Sequence, residues 1–290
     1  MKNASLTDYL KALPISALPH HFVSWLVYHV SRIEWPPLKN RIIGLYTSLF
    51  DINMEEAEMT DPLAYKSLNA FFTRALKDGA RPLAEGENTI LCPVDGAVSQ
   101  AQAIENGRIF QAKGRDYSLL ELMGGHHELA DPFVNGQFAT LYLSPRDYHR
   151  IHMPLPGKLT DMVYVPGRLY SVAGHNARVV PNLFARNERL VCQFDTPAGP
   201  MAMVLVGAIN VSAIDTVWSG RVTPPSLHKI VHTRYENGIE IRLDKGAEMG
   251  RFNMGSTVIM LFGENVRLDD TIRPEAKVKM GQALGQYSPK

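Results

Sequence analysis

Residues 201–214 read MAMVLVGAINVSAI, and this apolar run, interrupted by Gly207, is the stretch that decides the fold class. Six more short apolar or alternating runs are QFATLYLS (137–144), KLTDMVYV (158–165), RLVCQFDT (189–196), KIVHTRYE (229–236), IEIRLD (239–244) and TVIMLFG (257–263). Glycine or proline punctuates nearly every gap between such runs, as in strands joined by turns. The sequence therefore predicts an α+β protein with a mainly antiparallel β core of the sandwich or barrel-sandwich kind.

Helical spacing of apolar residues predicts helices over about 20–33, 39–50 and 64–76, and a short one at 118–123. The first two helices carry amphipathic stripes, which are Phe22, Trp25, Leu26, Val30 and Ile33 in one and Ile42, Leu45, Tyr46 and Leu49 in the other. Basic residues beside Trp-containing helices are typical of a membrane interface. The alternative is that both stripes pack against the rest of the protein.

The N-terminal region differs from the rest of the chain in charge. Residues 12–31 contain no formal charge, but Pro14, Pro19 and two histidines make them a poor membrane span, and a signal peptide also fits poorly. Residues 1–50 have a basic excess, whereas residues 51–61 are acidic and are followed by Pro62. This reversal predicts a boundary between a helical N-terminal region with an acidic linker at 1–61 and the main domain at 62–290.

Overall composition excludes several classes of protein. Apolar residues make up 45% and charged residues 20%, which is typical of a globular chain rather than a disordered one. The formal net charge of +1 argues against a dedicated nucleic-acid partner. Two distant cysteines, Cys92 and Cys192, exclude a disulfide scaffold and a four-thiolate zinc site.

Three polar segments could carry chemistry. Asp95 lies in PVDG (93–96), His149 and His152 lie in SPRDYHRIHMP (144–154), and Gly255-Ser256 lies in EMGRFNMGSTVIM (248–260). The paired histidines suit acid–base work, and we expect no metal site because HExxH and a cysteine partner are both missing. Each segment also has a structural explanation, since Asp-Gly and Gly-Ser occur in ordinary turns.

Together these segments resemble the phosphatidylserine decarboxylase family, in its bacterial membrane-associated form. The resemblance covers about residues 65–286 and rests on five stretches in order: CPVDGAVSQ (92–100), YLSPRDYHRIHMP (142–154), YVPGRLYSV (164–172), PNLFARNERL (181–190) and GAEMGRFNMGSTVIMLF (246–262). Met254 stands where the family more often has leucine, an exchange that keeps size and apolarity.

The resemblance implies a proenzyme that cuts itself between Gly255 and Ser256 into chains 1–255 and 256–290. Ser256 would attack the carbonyl of Gly255, with His152 as the base and Asp95 orienting His152. The serine would become a covalent pyruvoyl group, so that pyruvate is the implied cofactor. Its ketone would form a Schiff base with phosphatidylserine and act as an electron sink during loss of CO2. His149 is implied in returning a proton to give phosphatidylethanolamine.

The resemblance also implies partners and a location. The two cleaved chains would form a heterodimer, which could pair again as a dimer of heterodimers. The diacyl substrate implies a peripheral protein on the cytoplasmic face of the inner membrane. Two alternatives remain open at this point: a membrane-bound serine hydrolase using Asp95, His152 and Ser256 without self-cleavage, and a non-catalytic lipid-binding or carrier relative.

Overall fold

The computed structural model describes residues 4–209, 211, 213–224, 229–236, 238 and 240–289. Its α-helices in this part of the chain are α1 (Leu6–Ser16), α2 (His20–Val30), α3 (Pro36–Leu49), α4 (Leu68–Phe72), α5 (Leu119–Leu122), α6 (His127–Ala130), α7 (Gly174–Val179) and α8 (Leu183–Arg186), with 3₁₀ turns at Pro62–Ala64 and Asp131–Phe133.

In the described part of the chain, four sheets are built from eighteen strands. They are β1 (Thr89–Leu91), β2 (Gly96–Ala103), β3 (Arg108–Ala112), β4 (Arg115–Ser118), β5 (Gln137–Leu143), β6 (Arg150–His152), β7 (Gly157–Val165), β8 (Arg189–Thr196), β9 (Gly199–Val206), β10 (Ala213–Thr216), β11 (Gly220–Arg221), β12 (Val231–Arg234), β13 (Arg242–Leu243), β14 (Glu248–Asn253), β15 (Ser256–Phe262), β16 (Val266–Leu268), β17 (Lys277–Val278) and β18 (Ala283–Tyr287). All strand pairs described here are antiparallel, which confirms the predicted α+β class with its antiparallel core.

The largest sheet has the order β12-β7-β8-β9-β15-β5-β2-β17, with β13 also paired to β7. Its central strands β9 and β15 come from the two longest apolar runs in the sequence. Residues 201–206 and 258–261 are fully buried, so these strands are covered on both faces. This is why they read as continuous apolar runs rather than as an alternation of apolar and polar residues.

A smaller sheet has the order β11-β10-β14-β6 and is connected to the largest sheet through consecutive strands of the chain. β14 belongs to this smaller sheet, whereas β15, two residues further on, is a central strand of the largest sheet. Met254 and Gly255 therefore connect the two sheets. The remaining sheets are β1-β18-β16 and the hairpin β3-β4.

The helices agree with the predicted ones in part. α2, α3 and α5 fall within or close to the predicted ranges, but α4 covers only 68–72 of the predicted 64–76. Ser67 caps α4, and the chain after it becomes extended because Leu76 forms a bridge with Ala57. Helix α1 was not predicted. Pro14 lies near its C-terminal end, where a proline interrupts little of the helix.

The apolar stripes of α2 and α3 differ in exposure. Phe22 on α2 is 60% exposed, Trp25 is 56% exposed, and Leu45 on α3 is 62% exposed. Ile42 and Tyr46 of the α3 stripe instead pack, with the fully buried Ile43, on the side chains of Tyr65, Leu68 and Phe71. Polar contacts also hold the helices: Ser24 donates to the Val211 carbonyl at 2.8 Å, and Tyr46 donates to the Pro145 carbonyl at 2.8 Å. No helix within the described ranges has the length and apolarity needed to cross a bilayer.

Candidate active site

The turn between β14 and β15 has a strained backbone. Met254 has φ +81° and Gly255 has φ +55°, and a positive φ at a bulky residue such as methionine is rare. Such a conformation costs on the order of 1–3 kcal/mol and persists only where the surrounding structure imposes it. A Cβ on Gly255 would have no neighbour within 4 Å, so this position favours glycine for its backbone conformation rather than for lack of space.

The polar segment 144–149 lies against this turn. The amide of Phe252 donates to the carbonyl of His149 at 3.1 Å, on one side of the turn. On the other side, Ser256 pairs with Leu143 in the ladder between β15 and β5. The two ends of the segment thus flank residues 253–255. The side chain of Ser256, predicted to be the nucleophile, is outside what the structure describes.

His152 has both ring nitrogens in hydrogen bonds. Its Nδ1 donates to the carbonyl of Gly246 at 2.8 Å, which leaves Nε2 as an acceptor for the Tyr148 hydroxyl at 3.0 Å. Burial lowers the pKa of His152, so that the imidazole is neutral near pH 7. Burial raises the pKa of Tyr148 to about 12, so its hydroxyl keeps its proton. A neutral ring with a lone pair on Nε2 is the state that a general base requires.

Asp95 is close to His152 but does not touch it. The amide of His152 donates to the Pro93 carbonyl at 2.9 Å, which brings the segment 93–96 beside β6. Both carboxylate oxygens of Asp95 instead bind Arg81, at 2.9 Å from Nε and 2.5 Å from Nη2, and the Met280 amide donates to the same carboxylate at 2.9 Å. The orienting contact expected from Asp95 is therefore made by the carbonyl of Gly246, because Arg81 occupies the carboxylate.

The position of Asp95 depends on the glycine that follows it. A Cβ on Gly96 would lie 2.3 Å from the carbonyl oxygen of Tyr142 on β5. The Asp-Gly pair is thus needed for the close approach of β2 to β5, in addition to any turn that it makes.

His149 is fully buried. Its Nδ1 donates to the Asp147 carbonyl at 2.8 Å, and its ring packs on Phe72 with centroids 4.0 Å apart. Its Nε2 is buried without a hydrogen-bond partner. Burial lowers the pKa of His149 to about 3, so the ring is neutral at pH 7 and Nε2 is a hydrogen-bond acceptor.

Two residues of this site, Arg81 and Tyr148, were not predicted from the sequence. Arg81 joins Asp95 to Glu56, with its Nη2 2.6 Å from the Glu56 carboxylate, and nothing in its local sequence marks it. Tyr148 lies inside the segment 144–154, where its place beside His149 was the available signal. Lys279 lies 3.3 Å from Glu56 at the edge of the same cluster.

One group of described side chains has the composition of a metal site. A ring nitrogen of His126, a ring nitrogen of His232 and a carboxylate oxygen of Glu128 lie within 4.8 Å of one another. These groups already have protein partners: His232 Nε2 is 2.7 Å from Asp161, and Glu128 is 3.3 Å from Arg234. None of them belongs to the three polar segments predicted to carry chemistry.

Comparison with known proteins agrees with the resemblance seen in the sequence. The family model described as phosphatidylserine decarboxylase matches residues 68–286, and a second one, described as PSD, matches residues 10–51. A phosphatidylserine decarboxylase proenzyme of Stutzerimonas stutzeri is 54% identical over 284 residues, covering 97% of this chain and 95% of that protein. Proteins of the same name from Pseudomonas aeruginosa and Bordetella pertussis are each 55% identical and cover 92% of this chain, with 93% and 90% of their own lengths matched.

Proposed function

The chain belongs to the phosphatidylserine decarboxylase family, and we propose that it becomes active by cutting itself between Gly255 and Ser256. The activity is the conversion of phosphatidylserine to phosphatidylethanolamine and CO2. The comparisons do not favour the serine hydrolase or the carrier alternative. The observation that carries the self-cleavage proposal is the strained turn at Met254 and Gly255, which is flanked by the segment 144–149 that ends at His149.

Self-cleavage exchanges one bond for another before the chain separates. Ser256 Oγ attacks the Gly255 carbonyl carbon, its proton passes to a base, and the amide C–N bond breaks to leave an ester and a free amine. Loss of the α-proton of residue 256 then expels the Gly255 carboxylate and leaves dehydroalanine. Its enamine tautomerises, and water replaces the nitrogen to give a pyruvoyl group and ammonia. Strain at the turn favours the first step because bond exchange relieves it.

His152 is proposed as the base of the first step. Its Nδ1 is fixed by the Gly246 carbonyl, so the proton must go to Nε2, where the Tyr148 hydroxyl now donates. Burial lowers the pKa of His152, and the negative charges of Glu248 and, to a smaller extent, Asp95 act against this by favouring the protonated ring. We therefore propose an electrostatic role for Asp95 in place of a direct hydrogen bond, with Arg81 holding it in position.

The surroundings of residue 256 fit a covalent pyruvoyl group. Residues 257–262 pair with β9 on one edge and with β5 on the other, so a group at position 256 is anchored to a central strand. The group supplies a ketone that condenses with the substrate amine and accepts the electrons released as CO2 departs. His149 holds an unpartnered acceptor, Nε2, beside the same turn, and we propose that it takes up a proton and returns it within a turnover.

The cleaved chains are expected to stay together. Residues 256–290 contain β15, β17 and β18, which pair with β5, β2 and β1 of the longer chain. Cutting the turn removes none of these ladders. The working protein is thus proposed to be a heterodimer of chains 1–255 and 256–290, and its further pairing into a dimer of heterodimers remains a prediction.

The N-terminal helices are proposed to dock on the membrane. Leu6, Leu10, Leu13, Phe22, Trp25 and Leu26 on α1 and α2, and Leu45 and Leu49 on α3, are exposed. Such residues on interfacial helices bury into the boundary between head groups and acyl chains. We propose a peripheral protein on the cytoplasmic face of the inner membrane, with residues 1–61 as the docking region and 62–290 as the catalytic domain.

The function is tested by measuring CO2 release from phosphatidylserine vesicles by the purified wild type and the variant Ser256→Ala. The variant should stay one chain and release no CO2, because it lacks the hydroxyl that forms the ester. Ser288→Ala, which changes an exposed serine, is the matched control and should behave as wild type. Turnover by an uncut Ser256→Ala chain would contradict the proposal.

A further inference from the structure

Arg74 is a buried cation without a counter-ion. It is only 4% exposed, and in the described part of the chain no carboxylate lies within ion-pairing distance of it. Its Nη2 donates to the Arg146 carbonyl at 3.2 Å, but Nε and Nη1 are buried without any hydrogen-bond partner. A buried guanidinium normally has its donors satisfied, so the three N–H groups on these two nitrogens make Arg74 a candidate for binding an anion.

Hydrogen bonds fix the backbone around Arg74 and so define where its side chain begins. Its amide donates to the Phe71 carbonyl at 3.3 Å, and the next carbonyl, that of Ala75, accepts from Glu58 at 3.0 Å. The guanidinium lies near the face of Phe71, with its Cζ 5.7 Å from the ring centroid. Burial lowers the pKa of Arg74, which leaves the group charged at neutral pH but poorly solvated.

Arg74 lines a cavity of about 630 Å³ that reaches the strained turn. Asn253, directly before Met254, is part of the wall, and it accepts a hydrogen bond from Asn69 at 2.9 Å. Arg150 and Arg251 also line this cavity, and both pair with the single carboxylate of Glu248, at 2.9 and 3.0 Å. Within the described residues, Arg74 is also the one side chain shared with a second cavity of about 230 Å³, which is lined by Asp95 and Tyr148.

The substrate offers two anionic groups that could fill this position. The serine carboxylate loses its charge as CO2 leaves, so a buried cation bound to it would stabilise the ground state more than the transition state and would slow the reaction. The phosphodiester keeps its charge throughout, so binding it costs nothing in the chemical step. Planar guanidinium groups also match phosphate oxygens through two parallel N–H bonds.

We propose that Arg74 binds the phosphodiester of the lipid head group in the larger cavity, and so positions the serine part of the substrate at residue 256. Lys66, Arg150 and Arg251 line the same wall, so that with Arg74 four cationic side chains outnumber the two carboxylates there, Glu58 and Asp215. The inference rests on the proposed function, because it assigns the head-group site of that reaction.

The test compares wild type, Arg74→Gln and Arg74→Lys as full-length, self-processed proteins acting on soluble dihexanoyl phosphatidylserine, which removes any effect of membrane attraction. Arg74→Gln should raise KM by about ten- to a hundredfold and leave kcat nearly unchanged, since the interaction is the same in ground and transition states. Arg74→Lys should raise KM less, because lysine keeps the positive charge but lacks the two parallel N–H donors of the guanidinium. Arg108→Gln removes an exposed arginine on β3 and should leave KM unchanged.

Inhibition experiments separate the two anions. Glycerophosphoethanolamine carries the phosphodiester without a carboxylate. Its inhibition constant should rise in Arg74→Gln by the same factor as KM. Free serine carries the carboxylate without the phosphodiester, and its inhibition constant should be the same in wild type and Arg74→Gln. The inference is overturned if KM stays within about twofold of wild type, or if the variant loses competition by serine instead.

Processing of the variants is followed by intact mass, so that a role in folding is recognised. If neither Arg74 variant cuts itself, Arg74 serves maturation or folding and the inference is wrong. If the wild type itself releases no CO2, the proposed function fails. Normal wild-type turnover with an unchanged KM in Arg74→Gln overturns the head-group assignment alone.

Discussion

The N-terminal helices and the central strand β15 are both rich in apolar residues, yet they place them in opposite ways. Trp25 and Phe22 on α2 are more than half exposed, whereas every described side chain from Thr257 to Phe262 is at most 1% exposed. Helix α2 is tied to the protein by the hydrogen bond from Ser24, whereas the strand is held by two ladders and a packed core. Apolar content alone therefore does not identify the core; the partner of each apolar face does.

The largest effect is expected from His152, the proposed base of self-cleavage, because the chemistry belongs to the sheet region and not to the N-terminal helices. His152→Phe removes the lone pair that accepts the Ser256 proton and should slow self-cleavage by about 10²- to 10⁴-fold. The rate is read from the fraction of cut chain over time after purification. His127→Phe changes an exposed histidine on α6 and should cut at the wild-type rate.

That rate also has a defined pH dependence. Since burial places the pKa of His152 below its ordinary value, the neutral base predominates at and above pH 7, and cleavage should slow only as the pH falls through the lowered pKa. A rate that keeps rising steeply from pH 7 to 9 would contradict His152 as the base.

The two regions should differ next in their contribution to stability. Phe262→Ala removes a buried ring from the central strand and should lower the free energy of unfolding by about 3–5 kcal/mol. Trp25→Ala removes an exposed ring and should change it by less than about 0.5 kcal/mol. Urea unfolding of both, in an uncut Ser256→Ala background, measures the difference on a single chain. Equal losses would mean that the α2 stripe is part of the core after all.

Membrane binding, unlike stability, should depend on the exposed side chains of α2. The triple variant Phe22→Ser, Trp25→Ser and Leu26→Ser loses much of the apolar area of α2 and should bind vesicles about ten- to a hundredfold more weakly. Vesicle sedimentation measures this, with Ile230→Ser as a control that removes an exposed apolar residue outside the helices. Because α2 is fixed by Ser24, the triple variant should keep its fold, which deletion of residues 1–50 does not guarantee. Unchanged sedimentation would remove the docking role.

The last expected effect appears only at acid pH and concerns the buried histidine His149. The pKa of His149 is about 3 when folded and near 6.5 in the unfolded chain, so the unfolded chain binds more protons between these values. Stability from this group is complete above pH 6.5 and is lost as pH falls, by at most about 1.4 kcal/mol per pH unit. His149→Gln should flatten the stability profile between pH 4 and 6, and His127→Gln should leave it unchanged. An equal slope in His149→Gln and wild type would show that His149 is not buried as a neutral ring.

Much of this arrangement follows from local sequence. The strands were predictable because runs such as residues 201–206 have no helical period, and the turn residues mark their ends. Helix α4 was overestimated because the bridge from Leu76 to Ala57 competes with helix formation, and that pairing is invisible in a local window. Helix α1 was missed because Pro14 suggested a break, although a proline near the end of a helix disturbs few bonds.

The site was predictable as a set of segments but not as a set of contacts. Asp95, His149, His152 and Gly255 stand in recognisable motifs. The pairing of β14 with β6, the pairing of β15 with β5 and the hydrogen bond from the His152 amide to the Pro93 carbonyl bring those segments together. Arg81 and Arg74 carry no such signal, since Arg81 acts on Asp95 across fourteen residues and Arg74 on Arg146 across seventy-two. Their importance arises from burial and missing partners, which only the folded chain reveals.

The central claim is that the chain makes its own reactive group at the junction between the two regions of sheet. The most direct test is the intact mass of the purified protein under denaturing conditions. The account predicts two chains, 1–255 and 256–290, with the shorter one lighter by the difference between an N-terminal serine and a pyruvoyl group. It also predicts that borohydride in the presence of phosphatidylserine adds mass to the shorter chain alone. A single unmodified chain of 290 residues that still releases CO2 would contradict the account.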